Sequence, residues 1–248
     1  MKKARLQTVI NHRLRYLVAI CLLLNFFAFA CSQKGEIKER NPYNLDLVQT
    51  LADYQKLVAE NADNTMVDLE TVIPGIVLDI RYATANNFTG KIIYTAPKAF
   101  ARNPVAEALK SVQDSLSKHQ LALKIYDAYR PYSASLLFYK VYPDTSFVAD
   151  PKKGSRHNRG CAIDLTLIEL LSGKEIPMPS EFDDFSAKAN PEYANLPDTV
   201  LANRKFLFGV MEHFGFKHIA SEWWHFDFNG WSKYKLMDLP FEDLERGI

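Results

Sequence analysis

His157, Asp164 and His225 are residues whose types could together hold a metal ion, and Glu222 is an acid placed three positions before the second histidine. They fall in two stretches, Ser155-Arg156-His157-Asn158-Arg159-Gly160-Cys161-Ala162-Ile163-Asp164 and Ser221-Glu222-Trp223-Trp224-His225. Two neutral imidazole nitrogens and one carboxylate oxygen suit a catalytic zinc, which keeps a fourth position for water. Water on such a cation ionises near neutral pH, and a nearby carboxylate can take its proton, which is the chemistry of peptide hydrolysis. Asp164 lies in the apolar run Ala162-Ile163-Asp164-Leu165-Thr166-Leu167, where a carboxylate is costly to bury unless it is paired or metal-bound. Glu222 stands beside two tryptophans, and desolvation there would push its carboxyl toward the working range of a general base. On residue types and spacing alone, a metal site and an ordinary set of polar loop and strand residues are both open readings, because His/Asp pairs are common.

Such residues need elements to position them. Residues 161–170 alternate toward a strand, Ser172-Gly173 turns it, and 174–178 return, which predicts a hairpin carrying Asp164. Residues 121–126 read as a strand with Arg130 just past its end, and 132–142 as a helix. Asn103 as cap and Pro104 at the first position open a helix with Val105, Leu109, Val112 and Leu116 on one face. Asp198 or Thr199 caps a second helix, to about residue 213, whose core positions are Val200, Leu207, Val210, Met211 and Phe214; Gly215 ends it. Residues 216–219 and 224–228 read as strands. Earlier in the chain, 45–60 has the spacing of a short helix, and 66–80, with a Pro74-Gly75 turn, holds one or two strands. The fold class expected is α+β, with helices packed beside an antiparallel sheet.

Four segments resemble one family in the same order along the chain. Ser155, His157, Gly160, Ala162 and Asp164, followed by Glu222, Trp224 and His225, resemble the zinc D-alanyl-D-alanine peptidases, and most closely the VanX-type D-alanyl-D-alanine dipeptidases. Asp79-Ile80-Arg81-Tyr82-Ala83-Thr84-Ala85-Asn86-Asn87-Phe88-Thr89-Gly90 resembles the N-terminal signature of that branch. Tyr126-Asp127-Ala128-Tyr129-Arg130-Pro131 resembles its Gly-Tyr-Arg-Pro segment, with Ala128 in place of the glycine. The likeness spans about residues 67–240 and implies a compact D,D-peptidase fold, also seen in hedgehog-like domains. It implies one zinc ion held by His157, Asp164 and His225, Glu222 as general base, and Arg130 stabilising the oxyanion. It also implies Tyr82 and Asp183 as contacts for the substrate ammonium, with Asp184 an alternative to Asp183, and Ser155 as a substrate-binding residue. Without the likeness, Arg130 reads equally as a surface arginine paired with Asp127. Cys161 reads as strand packing rather than a nucleophile, and His119, His213 and His218 as structural. Trp223 and Trp224 read as pocket wall and core.

The 248 residues suffice for one large domain or two small ones. Lys2, Lys3, Arg5, Arg13 and Arg15 precede an apolar run over 16–30 that is too short for a comfortable membrane span and reads as a signal peptide. Ala28 and Ala30 suit ordinary signal peptidase, while Ala30-Cys31-Ser32 resembles an imperfect bacterial lipobox. The organisation expected is a signal peptide over 1–30, of lipoprotein type, a tether and short helix over 31–66, and a zinc D,D-dipeptidase domain over 67–248. Without the five basic residues of 1–30, 25 Lys and Arg face 29 Asp and Glu, about −4, which argues against a nucleic-acid partner. Of three cysteines, Cys21 and Cys31 lie at the leader, so Cys161 stands alone and the mature domain depends on its core rather than a disulfide. The expected location is the periplasm or cell envelope, with the membrane reached only through a lipid on Cys31. The expected substrate is a small D,D-dipeptide, in cell-wall turnover. The rival readings are a D,D-carboxypeptidase trimming peptidoglycan stem peptides and a non-catalytic zinc-binding module.

Overall fold

A computed structural model describes residues 41–246, so the expected leader, Cys31 and tether lie outside the described residues. In chain order the elements are β1 (Leu47–Val48), α1 (Leu51–Glu60), β2 (Met66–Asp68), α2 (Leu69–Val72), β3 (Val77–Leu78), β4 (Phe100–Arg102) and α3 (Asn103–Ser117). There follow β5 (Leu121–Asp127), α4 (Tyr132–Val141), β6 (Ala162–Glu169), α5 (Asp198–His213), β7 (Phe216–His218), β8 (His225–Phe228), β9 (Leu236–Met237) and α6 (Phe241–Arg246). The strands β3, β5, β6, β8 and β7 form one five-stranded sheet in that order. β3 joins β5 in parallel and the other neighbours are antiparallel. The expected α+β class is the one that folds.

Local sequence accounts for most of these elements. Val105, Leu109, Val112 and Leu116 recur at helical spacing along α3, and all four are completely buried. That face packs on β5, and α3 also touches α5, which lies against β7. Along β6, Ile163, Leu165 and Leu167 share one face and Ala162, Asp164 and Thr166 the other, and both faces are buried. Asp164 therefore sits where an unpaired charge would be very unfavourable.

Two helix starts differ from expectation. Asn103 is already helical, Arg102 occupies the cap position, and no side chain caps the end of α3. Arg102 ends β4 and Asn103 N donates to Thr65 O at 2.8 Å, so the entering strand rather than a side chain sets this start. α5 likewise begins at Asp198 with Pro197 in the cap position and no side-chain cap; Asp198 can still act on the helix dipole from the first turn. The return arm of the expected hairpin is also shorter. It shrinks to one bridge between Ile168 and Glu175, flanked by hydrogen bonds from Glu169 N to Lys174 O and from Ile176 N to Leu167 O. Pro177 and Pro179 offer no N–H to prolong a ladder, and β8 occupies the other end of that edge.

The N-terminal helix belongs with the rest. Thr50 caps α1 by accepting from Asp53 N at 3.1 Å, the Tyr54 hydroxyl accepts from Met66 N at 2.8 Å, and β1 pairs with β9. The boundary expected at residue 67 thus falls inside a compact unit that starts at Leu45.

Candidate metal centre and its cleft

Register assembles the site. Asp127 on β5 faces Asp164 on β6, and Asp164 faces His225 on β8, so three polar side chains stand in one row across three strands. His157 arrives from a 3-10 turn, His157–Arg159, immediately before β6. Gly160 lets the chain leave that turn in a left-handed conformation, φ +69°, and a Cβ there would lie 2.7 Å from the Met66 methyl. The backbone conformation favours glycine at that point of the motif, and a larger residue would also have to displace the Met66 side chain.

The three expected ligands converge. His157 Nε2 lies 3.1 Å from His225 Nδ1 and 3.4 Å from Asp164 Oδ2, and His225 Nδ1 lies 3.0 Å from Asp164 Oδ1. All three side chains are buried. Their outer nitrogens fix the ring tautomers. His157 Nδ1 is 2.7 Å from the Ala128 carbonyl, and His225 Nε2 is 2.9 Å from Asp227 Oδ1, so each outer nitrogen donates. The inner nitrogens of the neutral rings are then lone pairs, aimed at each other and at a carboxylate. Three acceptors in that position need a cation. Ligands at about 2.0–2.1 Å from a tetrahedral zinc stand roughly 3.3 Å apart, close to the 3.1 Å between the two imidazole nitrogens, and each nitrogen has one Asp164 oxygen within 3.4 Å. The outer partners supply the orienting support that metal-bound histidines ordinarily have.

The surrounding charges are arranged around this trio. Burial opposes charge on His225, but in the metal-free site its hydrogen bonds to Asp164 and Asp227 outweigh it and push the ring to about 10. Asp164 is held below the usual carboxylate range, burial being overcome by His157 and His225. Glu222 Oε2 stands 3.8 Å from His225 Nδ1, and burial raises its carboxyl to about 7, with Asp164 adding to the rise. Arg130 is buried and bonds Asp127 Oδ2 through Nε at 2.9 Å and Nη2 at 2.7 Å, with Asp164 Oδ2 3.7 Å away. It does pair with Asp127, as the surface reading supposed, but in the interior. Burial lowers and Asp127 more than restores its charge, so the guanidinium is held more firmly protonated than usual.

At the other side of Arg130, its guanidinium lies over the Tyr82 ring at 5.4 Å. The Tyr82 hydroxyl donates to both oxygens of Asp183, at 3.0 and 3.2 Å. Asp183 has φ +61°, a left-handed conformation that aspartate tolerates better than most residues. Burial, then the charge of Asp164, raises its carboxyl to about 8. Between Asp183 and Asp184, the structure brings only Asp183 into the cleft. Ser155 Oγ accepts from His157 N at 3.1 Å, which leaves its own proton to donate. All eight expected site residues line one cleft of about 540 Å³: Tyr82, Arg130, Ser155, His157, Asp164, Asp183, Glu222 and His225.

Of three supporting residues, Asp127 is the partner expected for Arg130, while Asp227 and Asn158 have no role in the sequence reading. Asp227 orients His225, Asp127 orients Arg130, and Asn158 ties Ser155 N (2.7 Å) to the Arg130 carbonyl (2.9 Å). Strand alternation offered a signal for Asp227, which is two residues from His225 and so on the same face. Cys161 is completely buried and its thiol is pushed up to about 12 by that burial, which suits packing and not attack. Trp224 walls the cleft, and Trp223 is buried with its indole N–H on Ser180 Oγ at 3.0 Å.

Residues 62–242 match the family Peptidase M15, described as D-ala-D-ala dipeptidase. A D-alanyl-D-alanine dipeptidase of Escherichia coli K12 is 35% identical over 175 residues, 69% of this chain and 89% of that protein. One from Enterococcus faecalis V583 is 31% identical over 201 residues, 73% of this chain and 96% of its own length. Among solved structures, a zinc-bound D,D-pentapeptidase VanY from a VanB-type resistance cassette aligns at 14% identity and TM-score 0.34, covering 56% of this chain and 78% of that one; so loose a match carries no weight.

Proposed function

The chain belongs to the D-ala-D-ala dipeptidase family, Peptidase M15, and on that premise we propose that it hydrolyses D-alanyl-D-alanine to two D-alanines with zinc as cofactor. The observation that carries the reading is the convergence of three buried acceptors, His157, Asp164 and His225, with Glu222 3.8 Å from the trio. His157, Asp164 and His225 would hold the zinc, which would supply Lewis acidity toward the scissile carbonyl and the attacking water. Glu222 takes one proton from the attacking water as its oxygen bonds to the carbonyl carbon. Arg130, fixed by Asp127, donates to the oxyanion that forms. The C–N bond then breaks, and Glu222 passes its proton to the departing amine of the second D-alanine. Asp183 and Tyr82 receive the ammonium of the first, and Ser155 contributes a hydroxyl donor beside the metal ligands.

The Tyr82–Asp183 bond favours a site closed around a free amino group over one open to an acylated peptide, as a carboxypeptidase needs. Offering the zinc-loaded protein D-alanyl-D-alanine and, separately, an N-acylated tripeptide ending in D-alanyl-D-alanine tests this by release of free D-alanine. Release from the dipeptide alone is expected. Release from only the acylated peptide would replace the reading with a D,D-carboxypeptidase, and none from either with a zinc-binding module.

We also propose that residues 1–30 direct export, that Cys31 carries a lipid, and that residues beyond it tether the domain in the cell envelope, where it serves cell-wall turnover. This rests on the basic and apolar segments and the Ala30-Cys31-Ser32 sequence. Metabolic lipid labelling of the wild type but not of Cys31→Ser, in the membrane fraction, is the expected result; a cytosolic, unlabelled protein would overturn it.

A further inference from the structure

We propose that Arg156, seated on Trp231, is the specificity residue that recognises the free carboxylate of the substrate. The proposal rests on the dipeptidase reading. A continuous run of contacts crosses the cleft. It starts at Asp183, whose carboxylate meets Tyr82 OH at 3.0 Å, and passes to Arg130 over the Tyr82 ring at 5.4 Å. It continues from Arg130 to Asp164 at 3.7 Å and from Asp164 to His225 at 3.0 Å. From His225 it reaches Asp227 at 2.9 Å and then Arg156, whose Nε is 3.5 Å from Asp227 Oδ2. The run ends where the Arg156 guanidinium lies 4.8 Å above the Trp231 ring. The metal ligands are in the middle, an acid is at one end and a cation at the other.

A free dipeptide is a zwitterion with the same order: ammonium, scissile amide, carboxylate. Binding its amide at the ligands with its ammonium at Asp183 leaves the carboxylate on the Arg156 side. Arg156 is suited to receive it. Its side chain lines the cleft and is 47% exposed, so its donors are not consumed by the interior. The contact to Asp227 is long for a hydrogen bond, and that acid's other oxygen is already engaged by His225. Stacking on Trp231 holds the planar fork in place without using its N–H groups. Arg159 also approaches Trp231, at 5.6 Å, but its Nη1 donates to the Tyr234 carbonyl and is committed to the fold. Ser155, next in sequence, has a hydroxyl proton left for the same carboxylate.

The experiment compares D-alanyl-D-alanine with D-alanyl-D-alaninamide, which lacks the carboxylate charge, on the zinc-loaded wild type, Arg156→Ala and Arg156→Lys. The wild type should favour the acid in kcat/KM by about 10- to 100-fold, the range of a charge-assisted contact. Arg156→Ala should bring acid and amide within about twofold of each other, mostly through KM, and Arg156→Lys should fall between, since it keeps the charge but loses the fork. Calorimetric binding of both ligands to Glu222→Gln, with and without Arg156→Ala, should reproduce the ratios without turnover. An acid-to-amide ratio left intact in Arg156→Ala would overturn the proposal, because the arginine would then act only by steadying Asp227 and His225. Wild-type protein that cleaves neither ligand would instead overturn the dipeptidase reading, and this proposal with it.

Discussion

Arg102 and Arg130 are both shut away from water, at 0% and 8% exposed, but their surroundings are opposite. Arg130 stands between Asp127 and Asp164 at the wall of the cleft. Arg102, among the described residues, is met by backbone carbonyls: Nε donates to Arg159 O at 2.8 Å, Nη1 to Asn64 O and Nη2 to Lys235 O at 3.3 Å. Burial therefore lowers the proton affinity of Arg102, whereas Asp127 overcomes burial at Arg130. Those three carbonyls come from three separate segments, one of them the turn that delivers His157. On the role proposed for Arg130, the difference separates a charge kept for a ligand from a charge kept for the fold. The first is balanced by acids and faces the cleft; the second satisfies the carbonyls of three segments and lies outside the cleft.

Variants that separate activity from stability can break this contrast. The largest effect should come from Glu222→Gln, with kcat falling by about 10²- to 10⁴-fold while zinc content, by metal analysis, is retained. Arg130→Met should lower kcat by about 10²- to 10³-fold with a cooperative melt preserved, because Asp127 keeps the Tyr94 hydroxyl (2.8 Å) and the Ala128 amide (2.9 Å). Arg102→Met should do the reverse: about 3 kcal/mol or more of stability lost in urea, with kcat per folded molecule within a few-fold of wild type. An Arg102 variant that melts normally but has lost its activity would erase the distinction.

Smaller effects sharpen it. Asp227→Asn should weaken zinc by about 10- to 100-fold in competition with a chromophoric chelator, through the His225 ring alone. The pH dependence should be the mildest. Glu222 must be ionised to accept a proton, and burial raises its carboxyl to about 7. kcat/KM should therefore rise with pH along an acid limb that lies at or below that value, since a bound cation favours the ionised form. Glu222→Gln should abolish the limb. A limb that survives in that variant would assign it to another group.

Much of the fold and the site is legible in the sequence, though unevenly. β6, α3 and α5 could be read because their apolar positions repeat at 2 or 3.6 residues over long enough stretches. The metal trio could be read because few residue types bind zinc and an acid in Ala-Ile-Asp-Leu stands out. Helix starts at Asn103 and Asp198 misled, since both residues favour caps while the preceding Arg102 and Pro197 fixed the entry of the chain. Tyr82 and Asp183 are 101 residues apart, and no local rule joins them; only the family resemblance did. Arg102 was invisible for another reason: an arginine is ordinarily taken as exposed, and its role depends on three carbonyls that no sequence pattern marks.

The strand row that places Asp164 beside His225 also orders events in time. Those residues are 61 apart and His157 and His225 are 68 apart, so their meeting is a long-range closure, the slow kind of contact during folding. β8 brings His225, and Glu222 just ahead of it, well after the other two ligands in chain order. A growing chain before that point carries one imidazole and one carboxylate of the set, too few donors to retain zinc against competing chelators. Metal capture must then follow the docking of β8, and the uptake of zinc from a fluorescent indicator during refolding becomes a clock for the last step of sheet assembly.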